Sequence, residues 1–363
     1  MHSLTWLGAT IAMLMPITVQ ANSVISTTAG PMQVTTMASG LDEPWGIDFL
    51  PDGSFLVTER DGRLLLGQKG MLNPVDGLPD VFATGQGGLL DVMVPRDFES
   101  SRRIWLSYAM PVGSGAATAA GFGRLEPSGQ QLEDFQMVFM ADPARGGRHF
   151  GSRLVEAYDG SIFVTTGDRG TGPDGLQAQE VTSALGKVIR LARSSTNEWS
   201  ASIVSRGHRN SQGAALAVDG GFFVVDHGAQ GGDELNKIVS GKNYGWPVVS
   251  YGVNYGGAKI GEGNSRPDIE PPLHYWDPSI APSGLMIYSG RLVPEWTGDF
   301  FFGSLNSDFL GRLDPDSQAE TGFAEERLVA PETGRVRDVV EAPDGAIWFL
   351  SVLDGAVYRL APL

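Results

Sequence analysis

The sequence predicts an all-β chain folded as a six-bladed β-propeller with four-stranded antiparallel blades. Three observations carry this reading. Glycine and proline account for 49 and 22 of the 363 residues and are spread along the whole chain, so turns recur throughout. Short runs rich in β-branched and aromatic residues fill the spaces between them, with no sustained helical period. Finally, one unit repeats, an Asp-Gly turn followed at once by an apolar run.

The repeat is explicit. It reads Pro51-Asp52-Gly53-Ser54-Phe55-Leu56-Val57, then Tyr158-Asp159-Gly160-Ser161-Ile162-Phe163-Val164. It returns as Val218-Asp219-Gly220-Gly221-Phe222-Phe223-Val224 and as Pro343-Asp344-Gly345-Ala346-Ile347-Trp348-Phe349. Trp296-Thr297-Gly298-Asp299-Phe300-Phe301-Phe302 is a weaker echo. Asp-Gly favours a tight hairpin because glycine accepts a positive φ. The apolar run after each turn is expected to be the inner strand. The spacings are near multiples of about 55 to 60 residues, and six such units fill the chain after residue 21. A ring of small sheets leaves few unprotected strand edges.

The N-terminus reads as an export signal. Leu4 to Val19 is mostly apolar and too short to span a membrane stably. Val19-Gln20-Ala21 resembles a small-residue cleavage site. Residues 1–21 are therefore expected to be a signal peptide and residues 22–363 a single domain, periplasmic or secreted. No other apolar run reaches membrane length.

Composition excludes several functions. The net charge is −16, and no basic cluster exceeds Arg102-Arg103, which argues against nucleic acid or anionic membranes as partners. There is no cysteine, hence no disulfide, thiolate metal site or catalytic thiol. No nucleophile elbow, P-loop or dinucleotide fingerprint is present.

Polar residues concentrate in loops expected in different blades, at one end of a central channel. The most informative is Gly146-Gly147-Arg148-His149-Phe150-Gly151, followed by Thr166-Gly167-Asp168. A histidine titrates near neutrality, and Asp168 could orient it through a ring N–H, as in general-base catalysis. A loop histidine bonded for structure alone remains open. Arg335 and Arg337 alternate and so share a face of an extended segment. With Arg209 they offer three guanidiniums suited to carboxylates, against the bland alternative of blade salt bridges, for instance with Asp338. The run Gly228 to Glu234 combines glycines, carbonyls and acids that suit calcium but does not have the spacing of an EF-hand loop. His208 and His227 read as structural rather than zinc ligands. Trp45, Trp246 and Trp276 read as packing residues rather than substrate platforms, with Trp276, beside a Pro-rich loop, the best exception.

Taken together, these loops resemble the PQQ-dependent aldose sugar dehydrogenases, relatives of soluble quinoprotein glucose dehydrogenase. The matching motifs run from Pro44-Trp45-Gly46-Ile47 through Thr58-Glu59-Arg60-Asp61-Gly62-Arg63 to Arg335-Val336-Arg337-Asp338. The resemblance implies a six-bladed propeller that oxidises aldose sugars at C1 to lactones. It implies that His149 is the base for the C1 hydroxyl, that a hydride passes to C5 of PQQ, and that Asp168 supports the histidine. It places Gln86 and Tyr251 on the sugar and cofactor pocket, and Arg209 and Asn210 beside the quinone oxygens. It places Ser279, Arg335 and Arg337 on the cofactor. Calcium is implied on the carbonyls of Gly228 and Ala229, and a second site at Glu234 and Tyr244. Asn306 stands where the family often has a lysine on the cofactor. His227 and Arg148 differ from the glucose-specific branch and favour broad aldose specificity. The expected partners are a small aldose sugar and an electron acceptor, with the protein a monomer.

Two other classes compete. One is a non-catalytic propeller that binds a protein or glycan. The other is a calcium-dependent lactone hydrolase, which wants a carboxylate-rich metal centre.

Overall fold

The computed structural model describes residues 15–16, 20–68, 70–170, 173–317 and 322–363. Most of the expected leader, residues 1–21, lies outside the described residues. Six antiparallel sheets follow one another around a ring. Their first strands are Pro44–Phe49, Leu89–Met93, Gly151–Glu156, Ser211–Leu216, Pro282–Ile287 and Val336–Glu341. Each packs against the first strand of the next blade, and the sixth packs against the first, so these strands surround the axis. Four sheets have four strands, and two carry a fifth at the outer edge.

The repeated turn does the same job wherever it occurs. Asp52, Asp159, Asp219 and Asp344 each accept the backbone N–H two residues on, at 3.0, 3.1, 2.9 and 3.0 Å. Gly53, Gly160, Gly220 and Gly345 take φ of 83°, 78°, 87° and 87°, the left-handed region that a Cβ disfavours. The turn joins the first strand of a blade to the second. The run after it is thus the second strand, not the inner one as expected. Its burial has another cause: Phe55–Glu59, Phe222–Asp226, Phe300–Ser304 and Ile347–Ser351 are buried on both faces, between neighbouring blades.

Six apolar clusters fill the six seams between blades. Leu56, Leu64, Ile104 and Leu106 join the first and second, for example, and Phe301, Leu310, Val339 and Phe349 the fifth and sixth. Burying each such side chain contributes roughly 1.5–3 kcal/mol.

The equal division of the chain does not hold. The first blade starts at Pro44, because Gly30–Ser39 pairs with Ala356–Pro362 and belongs to the last blade. Gln20–Thr27 continues that sheet outward. The two ends of the described chain thus close the ring by backbone hydrogen bonds. The second blade replaces the Asp-Gly turn with a short helix, Phe98–Ser101, and the fifth uses a 3-10 turn, Pro294–Trp296.

Candidate active site

The loops that lead into the first strands gather at one end of the ring. They surround a cavity of about 640 Å³. The backbone there is held in unusual conformations. His149, Ala281 and Arg335 take φ of 54°, 52° and 47° just before their strands begin. Non-glycine residues in this region are uncommon and persist where the surroundings hold them. Close approach explains two of the glycines. A Cβ on Gly167 would lie 1.9 Å from the carbonyl oxygen of His149, and one on Gly85 2.2 Å from that of Gly147.

His149 lines the cavity with little exposure. Its Nδ1 lies 2.6 Å from Oδ1 of Asp168. With Nδ1–H donated there, Nε2 keeps its lone pair free. Burial holds His149 below the ordinary histidine range; the Asp168 hydrogen bond opposes this, and the Arg209 charge adds to it. Asp168 stands behind the histidine, outside the cavity lining. Its Oδ1 also accepts the N–H of Gly170 at 2.8 Å, and its Oδ2 accepts Nε1–H of Trp246 at 2.8 Å.

Arg209 and Asn210 are placed by one buried carboxylate. Asp226 accepts their backbone N–H groups at 2.9 and 2.6 Å. Asn210 then accepts from Gly151 N–H at 3.1 Å and from Gln212 at 3.2 Å. Arg337 donates to Oε1 of Gln212 at 2.8 Å, and Arg335 to the carbonyl of Leu305 at 2.8 Å. Asp338, the partner that the alternative reading gave these arginines, binds Arg153 at 2.9 Å. Arg153 also holds Asp91 at 3.1 Å and donates to the backbone carbonyls of Gln212 and Arg337 at 2.7 and 2.9 Å. Burial, with the charges of Arg153 and Arg335, pushes Arg337 down to about 9. The site therefore concentrates positive charge within an acidic protein.

Six more of the predicted residues converge on the same cavity. Gln86, Tyr251, Ser279, Asn306, Gly228 and Ala229 all line it. Ser279 donates to Oδ2 of Asp233 at 2.6 Å, and Oδ1 of Asp233 takes the N–H of Gly228 at 2.8 Å. Asn306 donates to the carbonyl of Ser279 at 3.1 Å. Tyr251 stacks on Tyr275 with centroids 4.2 Å apart.

Residues 41–359 match the glucose / sorbosone dehydrogenase family. The chain belongs to this family. It is 37 % identical over 352 residues to an aldose sugar dehydrogenase of Escherichia coli (strain K12), covering 91 % of this chain and 93 % of that one. The soluble aldose sugar dehydrogenase from Escherichia coli, solved in the apo-form, superposes with a TM-score of 0.82 at 36 % identity, over 92 % of this chain and all of that one. The PQQ-bound aldose sugar dehydrogenase from Streptomyces coelicolor superposes with a TM-score of 0.71 at 25 % identity, over 91 % and 98 %.

Two predicted residues of this family member lie apart from the main cavity. Glu234 and Tyr244 border a narrow gap beside it, together with Asp226, His227 and Gly228. Burial pushes the Glu234 carboxyl up to about 8, and its one side-chain donor is Asn236 at 3.0 Å. Oδ1 of Asn236 is buried without a hydrogen-bond partner. Oxygens of this kind suit a hard cation, as would main-chain carbonyls of the cavity-lining Gly228 and Ala229. Among the described residues, no three His, Asp or Glu side chains cluster as a metal shell.

Trp276 packs as the favoured reading had it, buried in the seam between the fourth and fifth blades, and is no substrate platform. Other roles differ from expectation. Trp45 borders the cavity, with Arg153 4.2 Å and Arg337 5.6 Å from its ring. The polar loops do not fall one per blade, since Arg209, Asp233 and Tyr244 all lie in or beside the fourth. The sequence reading missed Gln212, Arg153 and the role of Arg60, which donates to the carbonyls of Gly85 and Gly87 at 2.6 and 3.0 Å. A readable signal existed for the first two: each immediately precedes or follows small residues and leads into an apolar run, Leu154-Val155 after Arg153 and Ala214-Ala215-Leu216 after Gln212-Gly213, where a long polar side chain is unusual.

Proposed function

We propose that this chain is a PQQ- and calcium-dependent aldose sugar dehydrogenase that oxidises sugars at C1 to lactones. One observation carries the reading. A histidine with Nδ1 committed to a carboxylate lines a cavity together with four arginines, Arg60, Arg209, Arg335 and Arg337. The family membership and the names borne by the relatives support it.

The residues divide the work. Nε2 of His149 takes the proton of the C1 hydroxyl, and Asp168 holds the imidazole and offsets the charge that it gains. Arg209, Arg335 and Arg337 suit a cofactor with several carboxylates, and such an anion would favour the charged form of Arg337, which burial and the nearby Arg153 and Arg335 charges oppose. Ser279, Asn210 and Gln86 add neutral polar contacts. PQQ, when bound, supplies the two-electron acceptor for the hydride leaving C1, and calcium on the Gly228 and Ala229 carbonyls would polarise its quinone. Glu234 and Tyr244 would hold a second calcium. A module that only bound protein or glycan would have no use for the His149–Asp168 pair.

The test is reconstitution. The purified protein is given PQQ and calcium, and dye reduction is followed with a panel of aldoses, against EDTA-treated and PQQ-free controls. Activity that needs both additions supports the reading. No activity, with no PQQ binding by titration, favours a binding module. We further propose export by cleavage after Ala21, a monomeric enzyme and a separate electron acceptor. N-terminal sequencing of the periplasmic protein, beginning at Asn22, would establish the first.

A further inference from the structure

We propose that Trp246 is a positioning residue for the base: its indole N–H fixes Asp168 in the orientation that steers His149, and its ring face carries Arg209. The proposal rests on the site assignment above and adds a residue to it.

Three observations converge. Nε1–H of Trp246 meets Oδ2 of Asp168 at 2.8 Å, while His149 and the Gly170 N–H take Oδ1 at 2.6 and 2.8 Å. Both carboxylate oxygens are thus committed, and the plane of the carboxylate cannot turn without breaking a bond. Second, the guanidinium of Arg209 lies 5.2 Å from the centroid of the same indole. One side chain therefore touches the group behind the base and a cation in front of the cofactor cavity. Third, the main chain that carries the indole is held independently of both. The Trp246 N–H reaches the carbonyl of Gly207 at 2.9 Å, and its carbonyl accepts Gln179 at 2.6 Å. Gln179 is itself fixed by Asn243 at 2.7 Å.

The indole–carboxylate bond is also shielded. Gly175 packs directly on it: a Cβ there would lie 2.7 Å from Oδ2 of Asp168 and 2.9 Å from Nε1 of Trp246. The Asp168 end of the bond is buried, and a hydrogen bond in low-dielectric surroundings holds geometry better than one exposed to solvent. A tryptophan needed for volume alone would have no reason to spend its single donor on this carboxylate.

The consequence for the histidine has a definite sign. The charged groups facing His149 are Asp168, Arg209 and Arg148, and Arg169 also acts on Asp168. The indole N–H draws part of the Asp168 charge towards itself. Removing it leaves more of that charge to stabilise the imidazolium, so the proton affinity of His149 rises. The carboxylate is also freer to turn, so the base is presented less often in a useful pose.

The experiment compares wild type with Trp246→Phe, which keeps a ring for Arg209. Histidine ring nitrogens are labelled with ¹⁵N, and the His149 titration is followed by NMR in the protein without cofactor. The pKa of His149 moves upward in the variant. In the reconstituted enzyme kcat falls about tenfold, the acid limb of kcat/KM moves upward with the NMR value, and PQQ affinity stays within about threefold. An unmoved His149 titration, or a rate loss with an unchanged pH profile, overturns the proposal and leaves Trp246 as packing. Should Trp246→Phe fail to fold, Gly175→Ala crowds the same bond and must move the titration in the same direction. The NMR reading needs no sugar oxidation, so an inactive wild type would count against the proposed function and not against this coupling.

Discussion

Gln86 and His149 are stitched together across the seam between the second and third blades. Oε1 of Gln86 accepts the backbone N–H of His149 at 2.7 Å, and the Gln86 N–H reaches the carbonyl of Gly147 at 2.5 Å. The base thus sits at φ 54° because a side chain from the neighbouring blade holds it there. Gln86→Ala leaves a part-buried N–H unsatisfied and should lower stability by about 1–3 kcal/mol. Chemical denaturation measures it, and a smaller loss would mean that the loop holds its shape without Gln86.

The chemistry itself falls on His149. His149→Gln keeps a polar side chain of similar reach but provides no base. Turnover should fall roughly 10²–10⁴-fold while PQQ still binds. Asp168→Asn should lower kcat in the same direction through misplacement of the ring. Steady-state kinetics beside a PQQ titration separates the two effects.

The pH dependence has a fixed sign. Burial holds His149 below its ordinary 6.5, and a base must be unprotonated to act. Activity should therefore persist as pH falls through 6.5 and be lost only below it. A pH profile of kcat/KM, which reports the free enzyme, checks this. An acid limb above 6.5 would show that the buried environment does not govern the base.

Cofactor affinity should follow the charge around the cavity. Arg337→Ala removes a charge-assisted bond and should weaken PQQ binding by about 1.5–3 kcal/mol. Asn306→Lys adds a cation on the same lining and should tighten it. Absorbance titration of the protein with PQQ reads both, and equal affinities for all three proteins would refute the docking assignment.

Much of this was legible in the sequence because it depends on local chemistry. The Asp-Gly turns are short-range devices, and each marks the same corner of its blade. The count of six survived although two blades make that corner differently, with Phe98–Ser101 and Pro294–Trp296. The closure was not legible. Pairing of Gly30–Ser39 with Ala356–Pro362 joins the far ends of the chain, and no local pattern encodes it. The site divides in the same way. His149 and Arg209 stand out as polar residues beside glycines, Arg337 alternates with Arg335, and all three reach the cavity. Gln212 and Arg153 lie within strands, and Trp246 looks like packing until its indole is placed against Asp168. Their roles come from the meeting of separate blades, which tertiary structure alone supplies.

The most direct test of the account is a single turnover. The protein loaded with PQQ and calcium is mixed anaerobically with glucose, or with glucose deuterated at C1, and the cofactor absorbance is followed in a stopped-flow instrument. The account predicts a change to the reduced spectrum in one exponential, several-fold slower with deuterium and lost in His149→Gln. No change with glucose or any other aldose, in protein shown to hold PQQ stoichiometrically, would contradict it.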